Sequence, residues 1–307
     1  MIVYNNINNI PHKERVVVIG NFDGLHRGHQ KLIHAGSVIR EEKKLVLTVL
    51  TFYPQWQSVR DPAFCYLLSQ FDKFSMLEKM GVDEVITIPF DTDFASVSAE
   101  RFVSDILLEK LNVQHVVVGY NFTYGHLAQG NADTLTAALE SQGKGIFVQP
   151  PYMFKGNVIS SSLIRRQIKD GNLSLVNQLL GYPYHICGEV IPGHQIGRTI
   201  GFPTANIDYD LHILLPAPGV YAAKAWLTRY PDTLYKGVLN IGTRPTVDSS
   251  SQITIEMNLL DFDQDIYGED ICIEVHHLLR HISKFKDLKE LKLAISNDVK
   301  NAKKILK

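Results

Sequence analysis

Two histidines three residues apart, His26 and His29, close the stretch Gly20-Asn21-Phe22-Asp23-Gly24-Leu25-His26-Arg27-Gly28-His29. Its glycines let the backbone turn sharply and approach a ligand closely. The helix expected to begin there offers free N–H groups and the positive end of its dipole. Imidazoles at that mouth can donate to phosphate oxygens, so Gly20, Asn21, Phe22, Asp23, His26, Gly28 and His29 form a candidate nucleoside triphosphate site. The plain alternative is a surface turn with incidental histidines, but Asn-Phe-Asp-Gly followed by His-x-Gly-His is denser than chance turns are. The stretch is not a P-loop, because Gly-Lys-Ser/Thr is missing. Nor does an acidic ribose-binding residue clearly end a second strand, as in dinucleotide folds.

Two further stretches suit phosphate. Gly119-Tyr120-Asn121-Phe122-Thr123-Tyr124-Gly125 follows a second buried strand, which puts Asn121 at the same end of a parallel sheet. Ser160-Ser161-Ser162-Leu163-Ile164-Arg165-Arg166 opens a helix with hydroxyls and places Arg165 one turn inside it. An Arg fork with permanent charge suits a phosphate, although an Arg there is usually solvated. No nucleophile with an adjacent base stands out, so a covalent intermediate is not indicated. Positioning and charge neutralisation suffice for phosphoryl or nucleotidyl transfer.

The elements that must hold these groups follow from periodicity. Val16-Val17-Val18-Ile19 and Leu45 to Phe52 read as strands buried on both faces. Leu32, Ala35 and Ile39 draw a helix stripe between them. Glu84–Ile88, His115–Gly119 and Gly145–Gln149 give further strands, alternating with helices over 67–80, 98–111, 132–141 and from 160. Such alternation predicts a Rossmann-like parallel sheet with helices on both faces. Beyond about Tyr184 the pattern changes to period-two strands at 184–190, 220–227, 235–241, 253–260 and 271–279, with turn signals such as Arg244-Pro245-Thr246. These predict an antiparallel barrel or sandwich, followed by an amphipathic terminal helix. The domain boundary is expected near Gly181-Tyr182-Pro183, dividing 1–182 from 183–307.

In the second domain, alternation puts Thr254, Glu256 and Asn258 on one strand face and Ile253, Ile255, Met257 and Leu259 on the other. On that basis alone, an exposed strand glutamate is the plainer reading of Glu256. The stretch from Gly197 to Asn206 is too rich in Gly and Pro for an ordinary strand, and Thr204 and Asn206 can present oxygens to Mg²⁺ or phosphate. Arg280 reaches either a ligand or solvent. Eight lysines between Lys284 and Lys307, mixed with Asp287, Glu290 and Asp298, read as a solvated helix face. Asp261-x-Asp263-x-Asp265 opens like a calcium loop but has Ile266 and Cys272 where Gly and Glu are required.

Composition narrows the classes. The 307 residues allow two domains, and 45% hydrophobic with 21% charged residues is globular. A net charge of −1 favours neither nucleic acid nor an anionic membrane as partner. No apolar run is long enough to span a membrane, and the first fifteen residues lack a signal-peptide core. Cys65, Cys187 and Cys272 are odd in number and far apart, which argues against disulfides and structural zinc and for a reducing cytoplasm.

Taken together, the stretches resemble the prokaryotic bifunctional riboflavin kinase/FMN adenylyltransferase, or FAD synthetase, family over nearly the whole chain. The resemblance rests on the Gly-Asn-Phe-Asp-Gly…His-x-Gly-His opening, Ile159 through Arg165, Gly201-Phe202-Pro203-Thr204-Ala205-Asn206, Gly219-Val220-Tyr221 and Asp265-Ile266-Tyr267-Gly268. It implies a Rossmann-like nucleotidyltransferase domain joined to a six-stranded barrel. It also implies two activities with Mg²⁺ and ATP: riboflavin to FMN in the barrel, then FMN to FAD with release of pyrophosphate. Glu256 falls on the family's catalytic base, which reverses the plainer reading. Thr204 and Asn206 match its Mg²⁺-nucleotide motif, with Gly197, Arg198, Gly201 and Arg280 about the kinase ligands. His26, His29, Asn21, Ser161, Ser162 and Arg165 would hold the triphosphate of the adenylyltransferase, and Asn121 its nucleotide or flavin. The implied partners are small molecules only, in a monomer or weak homo-oligomer. Departures fall at Gln55-Trp56, where the family has His-Pro, at Asn121 for a frequent Asp, and at Asn258 for a frequent His. Retention of one activity, more securely the kinase, and a non-catalytic flavin-sensing regulator are the alternatives.

Overall fold

A computed structural model describes residues 1–193, 196–245 and 251–307. Two compact units divide at Ser161/Ser162.

The first unit, Met1–Ser161, is built on a six-stranded sheet. From one edge its strands run Ile2–Tyr4, Glu84–Ile88, Val46–Phe52, Arg15–Ile19, Val113–Gly119 and Gly145–Gln149, all parallel. The β-branched run Val16–Ile19 is 0–1% exposed, and its alternate residues enter different cores. Val16 and Val18 pack with Leu32, Ile33 and Leu77 on one face. Val17 and Ile19 pack with Phe102, Leu107 and Leu135 on the other. Double burial is why this strand lacks alternation and could be recognised from its apolar run. The strand order reverses between Arg15–Ile19 and Val113–Gly119, so the loops after these two strands flank a topological switch point, where open α/β sheets bind ligands.

The second unit contains a closed barrel of six antiparallel strands. Around the barrel they run Tyr184–Ile191, Ala205–Tyr209, Ser251–Leu259, Tyr230–Pro245, Gly219–Leu227 and Asp270–His281. Five match expected strands; the sixth, Ala205–Tyr209, emerges from the stretch judged too constrained to be one. The Gly and Pro residues there end before Ala205, after a helical turn at Ile196–Thr199. The strand expected to end at Ile241 continues to Pro245; Thr246 of the expected turn lies outside the described residues. Helices Ser161–Lys169 and Leu173–Leu180 precede the barrel. Leu173–Leu180 belongs with the barrel because Asn177 donates to the Val275 carbonyl at 3.1 Å and accepts from Tyr184 N–H at 2.8 Å. The terminal helix Leu288–Ile305 starts on an Asp287 cap and lays Ala302 and Leu306 against Val220, Ala222 and Val238.

Two expectations are corrected here. Cys187 and Cys272 are directly opposed in the pairing of their strands and are joined by a disulfide. Their separation of 85 residues concealed this, because register and not spacing brings cysteines together. Cysteine usage therefore no longer argues for a reducing compartment. Asp298 is not on a solvated face: it is 5% exposed and is clasped by Arg280, whose Nε donates to its two oxygens at 3.1 and 3.0 Å. The Asp261 loop that resembled a calcium site spends that carboxylate on Lys303 at 2.9 Å.

Candidate functional sites in the two units

In the first unit, the helix Arg27–Lys43 begins with an imidazole in the place usually held by Ser or Asp. His26 Nδ1 accepts the His29 backbone N–H at 3.2 Å. One of the N–H groups expected to be free for a ligand is therefore already used. The same bond assigns the His26 proton to Nε2. The His26 ring lies against the first turn only because residue 28 has no side chain: a Cβ there would stand 3.1 Å from His26 Cε1. His29 stacks on His26 with centroids 3.6 Å apart and planes at 12°, and Phe22 closes against it edge-on. Burial pulls His26 down to about 4 and His29 well below the imidazole range, with the neighbouring His26 and Lys73 adding to the second shift. At neutral pH both rings are uncharged donors. His29 Nδ1 is buried without a hydrogen-bond partner.

Phe22 and Asp23, both expected at the nucleotide, are buried. Phe22 adopts a left-handed backbone, φ 51°, and its ring is fully buried. Asp23 is 2% exposed and its Oδ1 accepts Leu67 N–H at 2.9 Å, so its carboxylate shapes the loop. Ser161 reaches the same loop, donating from Oγ to the Asp23 carbonyl at 2.9 Å. Three donors converge on the Asn21 carbonyl. Thr51 Oγ1 and Gln55 Nε2 each lie 3.2 Å from it and Lys73 Nζ 3.4 Å. Asn121 is exposed after the neighbouring strand, its Oδ1 lying 3.2 Å from where a Cβ on Gly119 would be. Ser162 and Arg165 stand on the helix Ser161–Lys169, Ser162 exposed and Arg165 half-buried, in the second unit.

In the barrel, register gathers a second group. Glu256 is opposite Asn206 on one neighbouring strand and opposite Asn240 on the other. Opposed residues share a sheet face, so the half-buried carboxylate lies between two amides. Thr204 precedes Asn206, and the turn above is close: a Cβ on Gly197 would meet the Phe202 carbonyl at 2.3 Å and Thr204 Oγ1 at 3.3 Å. Gly201 takes φ +90°. Asn258, 7% exposed, donates to the Pro203 carbonyl at 2.6 Å and pins that turn to the strand. The Arg198 side chain lies outside what the structure describes. Arg280, expected near a ligand, is committed to Asp298, with a further contact from Nη2 at 2.9 Å.

A family model for FAD synthetase matches residues 9–163, and one for riboflavin kinase matches 180–306. The chain is 40% identical to the bifunctional riboflavin kinase/FMN adenylyltransferase of Bacillus subtilis, over 94% of this chain and 91% of that one. The protein of that name from Escherichia coli K12 is 36% identical over 95% and 93%. The chain belongs to this family. It is also similar to a crystal structure named Macrolide-efflux Protein from Streptococcus pneumoniae, with TM-score 0.89, 29% identity and 98% of each chain covered.

Within the bifunctional riboflavin kinase/FMN adenylyltransferase family, the departures at Gln55 and Asn258 acquire a structural account. Gln55, 1% exposed, faces the Asn21 carbonyl, and Asn258 faces Pro203. Both are loop anchors in this chain. Asn240 and Lys73 were not among the sequence candidates. A polar residue between Leu239 and Ile241 was the available signal for Asn240; for Lys73 no sequence signal existed.

Proposed function

We propose that the chain makes FMN in its barrel and FAD in its parallel-sheet unit, consuming ATP in each step. Both family models and the full-length likeness to bifunctional enzymes support the two activities. The observation that carries the reading is that each unit holds its own phosphate-suited group, the stacked His26–His29 pair in one and the Asn206–Glu256–Asn240 row in the other. The efflux name is not carried over, since both family models and the full-length relatives point to flavin-nucleotide synthesis.

In the kinase step, Glu256 takes the proton of the ribityl hydroxyl as its oxygen attacks the γ-phosphorus. The bond from γ-phosphorus to the bridging oxygen breaks and ADP leaves. Asn206 and Asn240 hold the carboxylate in line. The side-chain oxygens of Thr204 and Asn206 are hard donors, and the Gly197 turn lies close beside Thr204, so these residues fit Mg²⁺. When bound, Mg²⁺ neutralises phosphate charge. In the second step an FMN phosphate oxygen attacks the α-phosphorus of a second ATP, and the bond to the pyrophosphate oxygen breaks. Neutral His26 and His29 donate to the triphosphate from a rigid pair, Ser161 and Asp23 hold the loop, and Asn121 reads the nucleotide or flavin. A preorganised set of this kind acts where charge develops. Dependence on ATP and flavin precursors fits the cytoplasm.

Purified protein with riboflavin, ATP and Mg²⁺, followed by chromatography of flavins, tests the scheme. FMN then FAD is the expected sequence. No FMN from riboflavin overturns the kinase assignment, and no FAD even from supplied FMN leaves a single-activity kinase. Tight flavin binding without ATP consumption establishes the regulator.

A further inference from the structure

We infer that Lys73 is a positioning residue for adenylyl transfer, holding the turn that carries the histidine pair with a buried ammonium group. The inference rests on the reading of the Gly20–His29 loop as the nucleotide site. Lys73 lies on the helix Gln70–Lys79 and is 1% exposed, a setting lysine almost never occupies without a specific partner. Its Nζ points at the Asn21 carbonyl, which already has Thr51 and Gln55 within 3.2 Å. A carbonyl oxygen has two lone pairs, so hydrogen-bond satisfaction alone does not call for a third donor. What Lys73 adds is charge.

The titratable groups that face it are Asp23 on the loop and His29 on the helix Arg27–Lys43; Thr51 and Gln55, on the elements alongside, are neutral. Asp23 favours the ammonium, while burial pulls it down to about 8, so Lys73 keeps its proton at neutral pH. The same charge opposes protonation of His29. One buried cation thus holds the Asn21 turn and helps keep His29 neutral. Lys73 touches no reacting atom in this arrangement; it acts through the loop.

Lys73→Met keeps most of the apolar stem and removes the ammonium, with its charge and its contact to the Asn21 carbonyl. FAD formation from FMN should fall about 30- to 100-fold in kcat/KM, with riboflavin phosphorylation unchanged and Lys73→Arg recovering part of the loss. A pH profile gives a readout that mere packing would not move. Wild-type kcat/KM for FAD formation should decline above about pH 8 as Lys73 loses its proton, and Lys73→Met should lack that alkaline limb. Lys73→Met within twofold of wild type, or an alkaline limb identical in both proteins, overturns the inference. If Lys73→Met fails to fold, the wild-type profile decides alone: absence of a decline near pH 8 overturns it. His29→Ala serves as the control. Should His29→Ala leave FAD formation intact, the reading of the loop itself fails; should only Lys73→Met do so, the loop stands and the role of Lys73 falls.

Discussion

The parallel-sheet unit and the barrel build their sites by opposite means. In the first, the proposed phosphate-holding groups come from one loop and the cap of the helix that follows, with Asn121 after a second strand, and support converges on the backbone, at the Asn21 and Asp23 carbonyls. In the second, Asn206, Glu256 and Asn240 come from three separate strands, and only the hydrogen-bonded register of the barrel aligns them. The difference teaches where each site is fragile. A loop site with several anchors should lose function by degrees as anchors are removed. A strand site with one carboxylate should lose function at a single position.

The widest separation between the units is expected at Glu256. Glu256→Ala should lower FMN formation by about 10³-fold, as loss of a general base does, and leave conversion of supplied FMN to FAD at the wild-type rate. The paired assays by flavin chromatography check this. His29→Ala should do the reverse, lowering FAD formation by about 10²- to 10³-fold while FMN accumulates. Loss of both activities in either folded variant would contradict two independent sites.

Acid should distinguish the units next. His26 has a folded-state value of about 4 against an unfolded value near 6.5, so below pH 6.5 the unfolded chain takes a proton that the folded loop refuses. Stability of the first unit should therefore be unaffected by His26 at pH 7 and fall as the pH drops from 6.5 to 4. The full loss is on the order of 3 kcal/mol. Thermal melts across that range should show the first unit's transition moving down, and His26→Asn should remove part of that dependence, the buried His29 supplying the rest. In the barrel the corresponding buried charge is compensated. Asp298→Ala leaves Arg280 unpaired beside the terminal helix and should destabilise the barrel by about 2–3 kcal/mol at neutral pH, measured by chemical denaturation.

The same contrast explains what could be read from the amino-acid order. The Gly20–His29 loop and its place between strand and helix were legible because its residues are neighbours in the chain and its flanking strand announces itself by the unbroken run Val16–Ile19. The barrel face was half legible: alternation placed Glu256 among polar neighbours, but no local pattern says that Asn240 lies opposite it. Groups whose roles depend on a distant partner were misread or missed. Asp298 looked solvated until Arg280 was beside it, and Cys187 looked solitary until Cys272 was opposite. Arg15 is the extreme case. A charged residue at a strand start is ordinary, yet this one is fully buried on Glu84 at 3.0 Å, across 69 residues.

The smallest effect should come from Gln55, one of the positions where the chain departs from the family resemblance. Gln55 donates to the Asn21 carbonyl, but Thr51 and Lys73 approach the same oxygen. Gln55→Ala removes one anchor and leaves the carbonyl satisfied, so no buried acceptor is orphaned and the larger penalty for an unmade bond does not arise. The loss should be about 1 kcal/mol or less, roughly a threefold to fivefold drop in kcat/KM for FAD formation. Combined with Thr51→Val, the loss should exceed the sum of the two single changes, because the carbonyl then depends on Lys73 alone. A double-mutant cycle on FAD formation measures that coupling. Strict additivity would mean that the donors act separately and that the carbonyl is not the shared support of the loop.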